Sequence, residues 1–218
     1  MAFADFQSLV SNLIRDYSGE IADADRDQAL SLAVTRYSTD RPLTRIEAVQ
    51  SVGTSALPLP AGWEDAFSAL RTLAIPGKGE IAGKVEQTIT GTVIRTAAAI
   101  RSGTDIHVSF TVQHLLDEND DAIPPADREA VASWAAALLL EQLASYYAGA
   151  KQSTIDADSV DWQSKSRDFA GRAARLRKLY QDHLGIDPKR NVPAAAVVDL
   201  NRPNSLGRSR LIKGRGRI

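Results

Sequence analysis

Histidines are the first side chains to consider for metal binding or proton transfer, and the chain has three: His107, His114 and His183. None of them lies three or four residues from another histidine or from a carboxylate set at metal-ligand spacing. His107 is predicted on the solvent face of a strand. His114 lies in the apolar phase at the end of the same strand, which is typical of a buried, hydrogen-bonded histidine. The sequence therefore predicts no metal site.

The stretch PGKGEIAGKV at 76–85 superficially resembles a phosphate-binding loop, but its glycine spacing is wrong for one. Val85 also stands where a serine or threonine would be needed to bind Mg²⁺, so a turn-rich β segment is the better interpretation. The chain has no cysteine, which excludes thiolate metal sites, disulfides and cysteine nucleophiles. No Gly-x-Ser-x-Gly motif is present. We therefore expect no enzyme, and we assign no catalytic, cofactor-binding or metal-binding residue.

The net charge of −1 over 218 residues hides two parts of opposite sign. Residues 187–218 contain eight basic and two acidic side chains, so this arm is +6 and the rest of the chain is −7. The arm has no apolar periodicity, which predicts an extended segment. Aliphatic residues between its arginines favour docking on a protein partner, with charge steering the approach. Binding to nucleic acid and a solvated tail remain as alternatives.

The rest of the chain divides by pattern into helical and β segments. Apolar residues at three- and four-residue spacing predict two helices before Pro42. Thr, Val and Ile at period two, interrupted by Pro and Gly, predict four short strands in one small antiparallel sheet. These strands are expected at 45–52, 67–75, 88–96 and 106–114, with 57–60 as an edge or linker. Beyond 117, the sequence predicts a long apolar helix opened by Pro124 and Pro125, then a last helix with a basic face.

The predicted fold class is α+β, mainly α: an antiparallel helical bundle with an inserted small antiparallel β-sheet domain and an extended C-terminal arm. The segments are a helical hairpin (1–42), the β domain (43–116), a long helical pair completing the bundle (117–186) and the arm (187–218). The longest uncharged apolar stretch is about half of what a membrane span needs, and the N-terminus lacks the pattern of a signal peptide. We expect a soluble protein made in a cytoplasm, with no membrane contact.

Several stretches together resemble the head-tail connector (adaptor) proteins of tailed bacteriophages and related gene transfer agents. Two belong to the long apolar helix and its start, IPPADREAV at 123–131 and AAALLLEQLASYY at 135–147. Two more follow, ADSVD at 157–161 and KSRDFAGRA at 165–173. The N-terminal hairpin ends in RYSTDRP at 36–42, and the β insertion contains LPLPAGW at 57–63 near its start. Some members of the family are almost wholly helical, so the β insertion is a departure from the pattern.

The resemblance implies a structural protein that forms a ring of about twelve copies beneath the portal protein. Genomic DNA would pass through the ring without sequence-specific contact, and the next neck component, a tail-terminator or stopper protein, would attach to it. The implied location is the virion neck, with assembly in the host cytoplasm. The alternative function is nucleic-acid binding through the arm and the basic face of the last helix.

Two sets of residues are assigned on this basis, and no cofactor is expected. The arm would dock on the portal through Arg202, Leu206, Arg208, Arg210, Leu211, Ile212, Lys213, Arg215 and Arg217. The long apolar helix is expected to be too apolar for one protomer to cover. The subunit interface is therefore predicted at Trp134, Ala137, Leu140, Tyr147, Arg172 and Arg175.

Overall fold

A computed structural model describes residues 3–15, 19–89, 91–117, 121–149 and 162–187. The chain divides into two units, residues 1–185 and residues 186–218, and of the second only Ile186 and Asp187 are described. The helices are α1 (Phe3–Ile14), α2 (Asp23–Asp40), α3 (Arg128–Gly149) and α4 (Trp162–Leu184), with a 3-10 turn at Pro125–Asp127. The strands are β1 (Leu43–Gln50), β2 (Ala56–Leu57), β3 (Leu70–Ile75), β4 (Gly79–Ile81), β5 (Gly83–Thr88), β6 (Gly91–Thr96) and β7 (Asp105–Val112).

The prediction of a mainly α helical bundle is wrong. Of the residues that the structure describes, about 46% are helical and 25% are in strands, and the seven strands in this part of the chain form two antiparallel sheets rather than one sheet of four. The additional strands are β2, β4 and β5. β4 and β5 lie in the glycine-rich stretch whose composition indicates turns, because glycine weakens the sequence signal for a strand. These segments are strands because they pair with neighbouring strands, although their local sequence does not predict a strand.

The two sheets have the strand orders β1-β7-β3-β4 and β2-β6-β5. β7 pairs with β1 without interruption from Leu43↔Val112 to Gln50↔Asp105, and it pairs with β3 on its other side. Along β7 the apolar residues point to the core while His107 is exposed, as the period of two requires. One apolar cluster draws on strands of both sheets: Val49, Leu57, Leu73, Ile94, Ile106, Val108, Phe110 and Val112.

The helices pack around α3, which contacts α1, α2 and α4. Twelve of its 22 residues are buried, and between Ala130 and Leu140 they lie on all of its sides, whereas Gln142, Ser145 and Tyr146 are exposed nearer its C-terminal end. The expectation that one protomer could not cover this helix is therefore wrong. The long apolar sequence is covered within the chain by the apolar faces of the other three helices. α2, for example, buries Leu30, Ala33, Val34 and Tyr37.

The two sheets approach each other closely at Gly83 on β5. A Cβ atom at this position would lie 2.2 Å from Cδ1 of Leu73 on β3 and 3.3 Å from the carbonyl oxygen of Arg95. Leu73 is 2% exposed and cannot move its side chain into solvent. Glycine at 83 therefore leaves the space that the Leu73 side chain fills, and an added methyl group would force that side chain to shift.

We expect Gly83→Ala to lower the free energy of unfolding by about 1 to 3 kcal/mol, because the added methyl group overpacks the core between the sheets. The matched control is Gly171→Ala on α4, where an added Cβ would meet no atom within 4 Å. That change should stabilise the protein by about 0.5 to 1 kcal/mol through higher helix propensity. Urea unfolding of both variants measures the difference, and equal effects would contradict the packing argument.

Candidate functional site

Asp127 connects three elements at the place where the chain leaves the sheets and begins α3. Its side chain is almost fully buried and accepts three hydrogen bonds. The donors are the Tyr37 hydroxyl at 2.5 Å, the Arg41 guanidinium at 2.9 Å and Nε2 of His183 at 2.8 Å. Pro124 and Pro125 open the 3-10 turn that holds Asp127 just before α3. The carboxylate therefore joins the end of α2, the start of α3 and the end of α4.

The charge of this carboxylate is maintained by its donors. Burial alone would raise the pKa of Asp127, but hydrogen bonds from Tyr37 and His183 and the positive charge of Arg41 outweigh it, so the pKa lies below its ordinary value. The pKa of Tyr37 is raised, first by burial and then by its bond to Asp127. A buried carboxylate with three donors is a stable structural group rather than a proton carrier near neutral pH.

His114 links the sheets to the same region. Its Nδ1 lies 3.0 Å from the carbonyl oxygen of Ala122, and its Nε2 lies 2.9 Å from that of Arg41. Its backbone N–H donates to the Ser38 hydroxyl, and its ring packs on Tyr37 with centroids 4.7 Å apart. The side chain is buried and hydrogen-bonded, in agreement with the prediction of a structural histidine.

Trp134, a predicted interface residue, lies half-buried between cationic side chains. The guanidinium carbons of Arg36 and Arg177 are each 5.4 Å from the centroid of its ring, within the range of cation–π attraction. Its ring also packs on Tyr180 with centroids 4.8 Å apart, and Arg177 forms an ion pair with Glu141. Arg177 belongs to the predicted basic face of the last helix, but no spacing in the sequence connects Arg36 or Arg177 with Trp134, since both are distant from it along the chain.

The other predicted interface residues divide into buried and exposed groups. Ala137 and Leu140 are fully buried, and Tyr147 is 7% exposed and stacks on Phe169. These three side chains are covered by the chain itself and offer almost no surface to another subunit. A surface for subunit contact has to be sought elsewhere, and the ring interface stays a prediction.

The two predicted arginines of α4 also differ in their surroundings. Arg172 is half-buried, and its guanidinium donates to the carbonyl oxygens of Leu13 at 3.2 Å and Ile14 at 2.7 Å. These carbonyls end α1, so Arg172 acts as a C-terminal cap of that helix. Arg175 is exposed, as are Arg167 and Lys178. Among the residues that the structure describes, none of these three exposed cations has an ion-pair partner.

The nine predicted portal-docking residues, Arg202 to Arg217, lie outside the described residues. Within the described ranges, no group of three or more His, Asp or Glu residues could hold a metal ion. No helix of that part of the chain is long and apolar enough to cross a membrane. An open polar groove of about 600 Å³ runs between α1 and α2, lined mainly by Gln7, Ser8, Asn12 and Arg26.

We expect stability to depend on pH through Asp127. Because its pKa is lower in the folded chain, the unfolded chain takes up this proton first, and stability falls as the pH drops below about 4. Asp127→Asn should remove this part of the pH dependence and cost about 3 kcal/mol at neutral pH, since it leaves buried donors unpaired. The control is exposed Asp168→Asn, with an expected change within about 0.5 kcal/mol. Thermal unfolding between pH 2 and pH 7 measures both, and parallel curves for wild type and Asp127→Asn would contradict the assignment.

The chain was also compared with known proteins. No protein-family model matches it, and no curated protein matches it either.

Proposed function

We propose that the protein is a head-to-tail connector, a ring-forming structural protein of the virion neck in a tailed bacteriophage or gene transfer agent. The observation that supports this most is that stretches which resemble the family, though separated in sequence, pack together. Tyr37 from 36–42 bonds to Asp127 from 123–131. Ser166 from 165–173 donates to the carbonyl oxygen of Ala144 from 135–147 at 2.8 Å. Four of the six family-like stretches thus meet among the helices, whereas 57–63 belongs to the β domain and 157–161 lies outside the described residues.

The charge distribution supports the same proposal. The first 186 residues have a net charge of −7 and the arm +6. An acidic body repeated around a channel would repel the DNA phosphates and let the duplex slide without adhesion. The basic arm would then be directed to the portal protein, where its charge steers docking and its aliphatic residues supply contact area. The β insertion remains available for the next neck component.

A second candidate function is nucleic-acid binding, which the exposed cations of α4 favour. Arg167 and Lys178 are eleven residues apart on one exposed face, and Arg175 lies between them. A stripe of this length could follow a phosphate backbone. The two candidates differ in what the arm binds, so one truncation separates them.

We expect the full chain, mixed with the portal protein of the same phage or gene transfer agent, to add a ring of density beneath the portal in electron micrographs. A chain ending at Ile186 should not dock, because it lacks the arm. Circular dichroism and the melting temperature of the truncated chain should match the full chain, which shows that the body is folded. Portal particles without added density in the presence of the full chain would contradict the connector.

The nucleic-acid alternative makes a different prediction for the same truncation. It requires binding to duplex DNA whose affinity falls steeply with salt, with a slope of about −0.9 for each phosphate neutralised. Removing residues 187–218 would make the salt dependence less steep, because the several phosphate contacts of the arm would be lost. Under the connector proposal, fluorescence anisotropy with a labelled duplex at physiological salt should show weak binding of the full chain. Tight, salt-dependent binding lost on truncation would favour the alternative.

A further inference from the structure

β1 is an edge strand with an unoccupied side. It pairs with β7 along all eight of its residues, and no other strand of the described chain pairs with it. No backbone hydrogen bond from another described segment reaches the open side of Leu43–Gln50. The opposite edge of the same sheet, β4, is only three residues long. β1 is therefore the long free edge of this sheet.

Soluble proteins protect such edges because unpaired N–H and C=O groups form a template for another strand. The usual protections are a short strand, a proline, charged side chains, lysine above all, or a bulge. β1 contains no proline or lysine, and its register with β7 has no irregularity. Ile46, at the middle of the strand, is 65% exposed, and Leu43 is 37% exposed. Its two charged residues, Arg45 and Glu47, form an ion pair with each other, so β1 carries no net charge that would repel a further strand.

The residues of β1 are complementary to those of a second β1 in antiparallel orientation. When the two-fold axis passes through Ile46, this residue faces its own copy, and Arg45 faces Glu47 of the other chain twice. Leu43 then faces Val49, and Thr44 faces Ala48. Opposite charges and apolar pairs directly across an antiparallel pair are both favourable.

Neighbouring registers are unfavourable. An axis through Arg45 places this arginine opposite its own copy, and an axis through Glu47 places two carboxylates opposite each other. Like charges directly across a strand pair are destabilising. The charges of β1 therefore select the register centred on Ile46.

The positions of these charges are compatible with the contact. Within one chain Nε of Arg45 lies 3.0 Å from Oε1 of Glu47, and the Arg45 side chain is 58% exposed. The other carboxylate oxygen of Glu47 accepts the backbone N–H of Gly62 at 3.1 Å, which holds the side chain in place. Each arginine is thus exposed enough to reach a fixed carboxylate of the other chain.

We propose that β1 is a dimerisation edge. Two copies of this chain pair their β1 strands antiparallel about a two-fold axis through Ile46, and the two four-stranded sheets become one continuous sheet. This contact belongs to the isolated protein and does not depend on the connector proposal.

The absence of native cysteine permits a direct test. Ile46→Cys in the full chain places two thiols opposite each other, at the Cα separation of about 4.5 to 5.5 Å that a disulfide accepts. Mild oxidation should therefore give a covalent dimer on a non-reducing gel. Thr44→Cys is the matched control on the same exposed face. Its two copies would be four residues apart along the strands, about 13 Å, which is too far for a disulfide. Equal cross-linking of the two variants, or none with Ile46→Cys, would overturn the proposal.

Sedimentation equilibrium of the unmodified chain tests the same contact without a disulfide. It should give twice the chain mass of 23.5 kDa. Ile46→Lys should return the monomer with an unchanged melting curve at low protein concentration, since this side chain is exposed in the single chain. Arg45→Glu should weaken the dimer about tenfold, because it places two carboxylates opposite each other in both cross-strand pairs. A monomer, or a larger assembly unaffected by Ile46→Lys, would overturn the dimer. Neither result decides whether the protein docks on the portal, which the electron micrographs test separately.

Discussion

The arrangement of the helices depends on one constraint: between Ala130 and Leu140, α3 buries residues on all of its sides. Alanines and leucines make up most of this stretch, so three other helices have to cover it, whereas Gln142 and Ser145 are exposed nearer its C-terminal end. The polar groups near α3 serve this packing. Asp127 places a negative charge at its N-terminal end, where the helix dipole favours one. Arg172, from α4, satisfies the end of α1 while α4 packs along α3.

The β domain follows a different constraint, because its core lies between two sheets and draws on no helix. The chain therefore holds two apolar centres, one built on α3 and one on β7. Polar contacts join them: the ring nitrogens of His114, which follows β7, lie within hydrogen-bond distance of the carbonyl oxygens of Arg41 and Ala122, and the Arg41 guanidinium donates to Asp127. These bonds are directional, so they fix the path of the chain between the two centres more narrowly than apolar contact would.

Much of the fold could be predicted from local pattern. The alternation along β7 and the buried stripe of α2 are local features, and both predicted the correct element and face. The strands β4 and β5 could not be predicted from local pattern, because these segments are extended only through their pairing with neighbouring strands. The prediction that one protomer could not cover α3 was wrong for a related reason. A largely apolar helix must be buried over most of its surface, but its sequence does not say whether its own chain or another subunit buries it.

Asp127 shows the same limit within the candidate site. Because it follows two prolines and precedes an apolar helix, the sequence predicts only that Asp127 is an acidic residue at the N-terminus of that helix. Its partners Tyr37 and His183 lie 90 and 56 residues away, and no spacing in the sequence connects them. The hydroxyl of Tyr37 and the carboxylate need each other only after the helices have met. Long-range polar pairs of this kind are determined by the fold rather than by local sequence.

The pairing of β1 with β7 has a consequence for how the helices find each other. α2 and α3 flank the β domain, and bringing the ends of a flexible loop of about 70 residues together costs about 2 kcal/mol more chain entropy than closing one of about five. Leu43 pairs with Val112, however, so once the sheet forms the two ends of the insertion are already neighbours. For the helices the folded insertion then behaves as a short connection. If the sheet forms first, the other helices therefore pack on α3 at a lower cost in chain entropy.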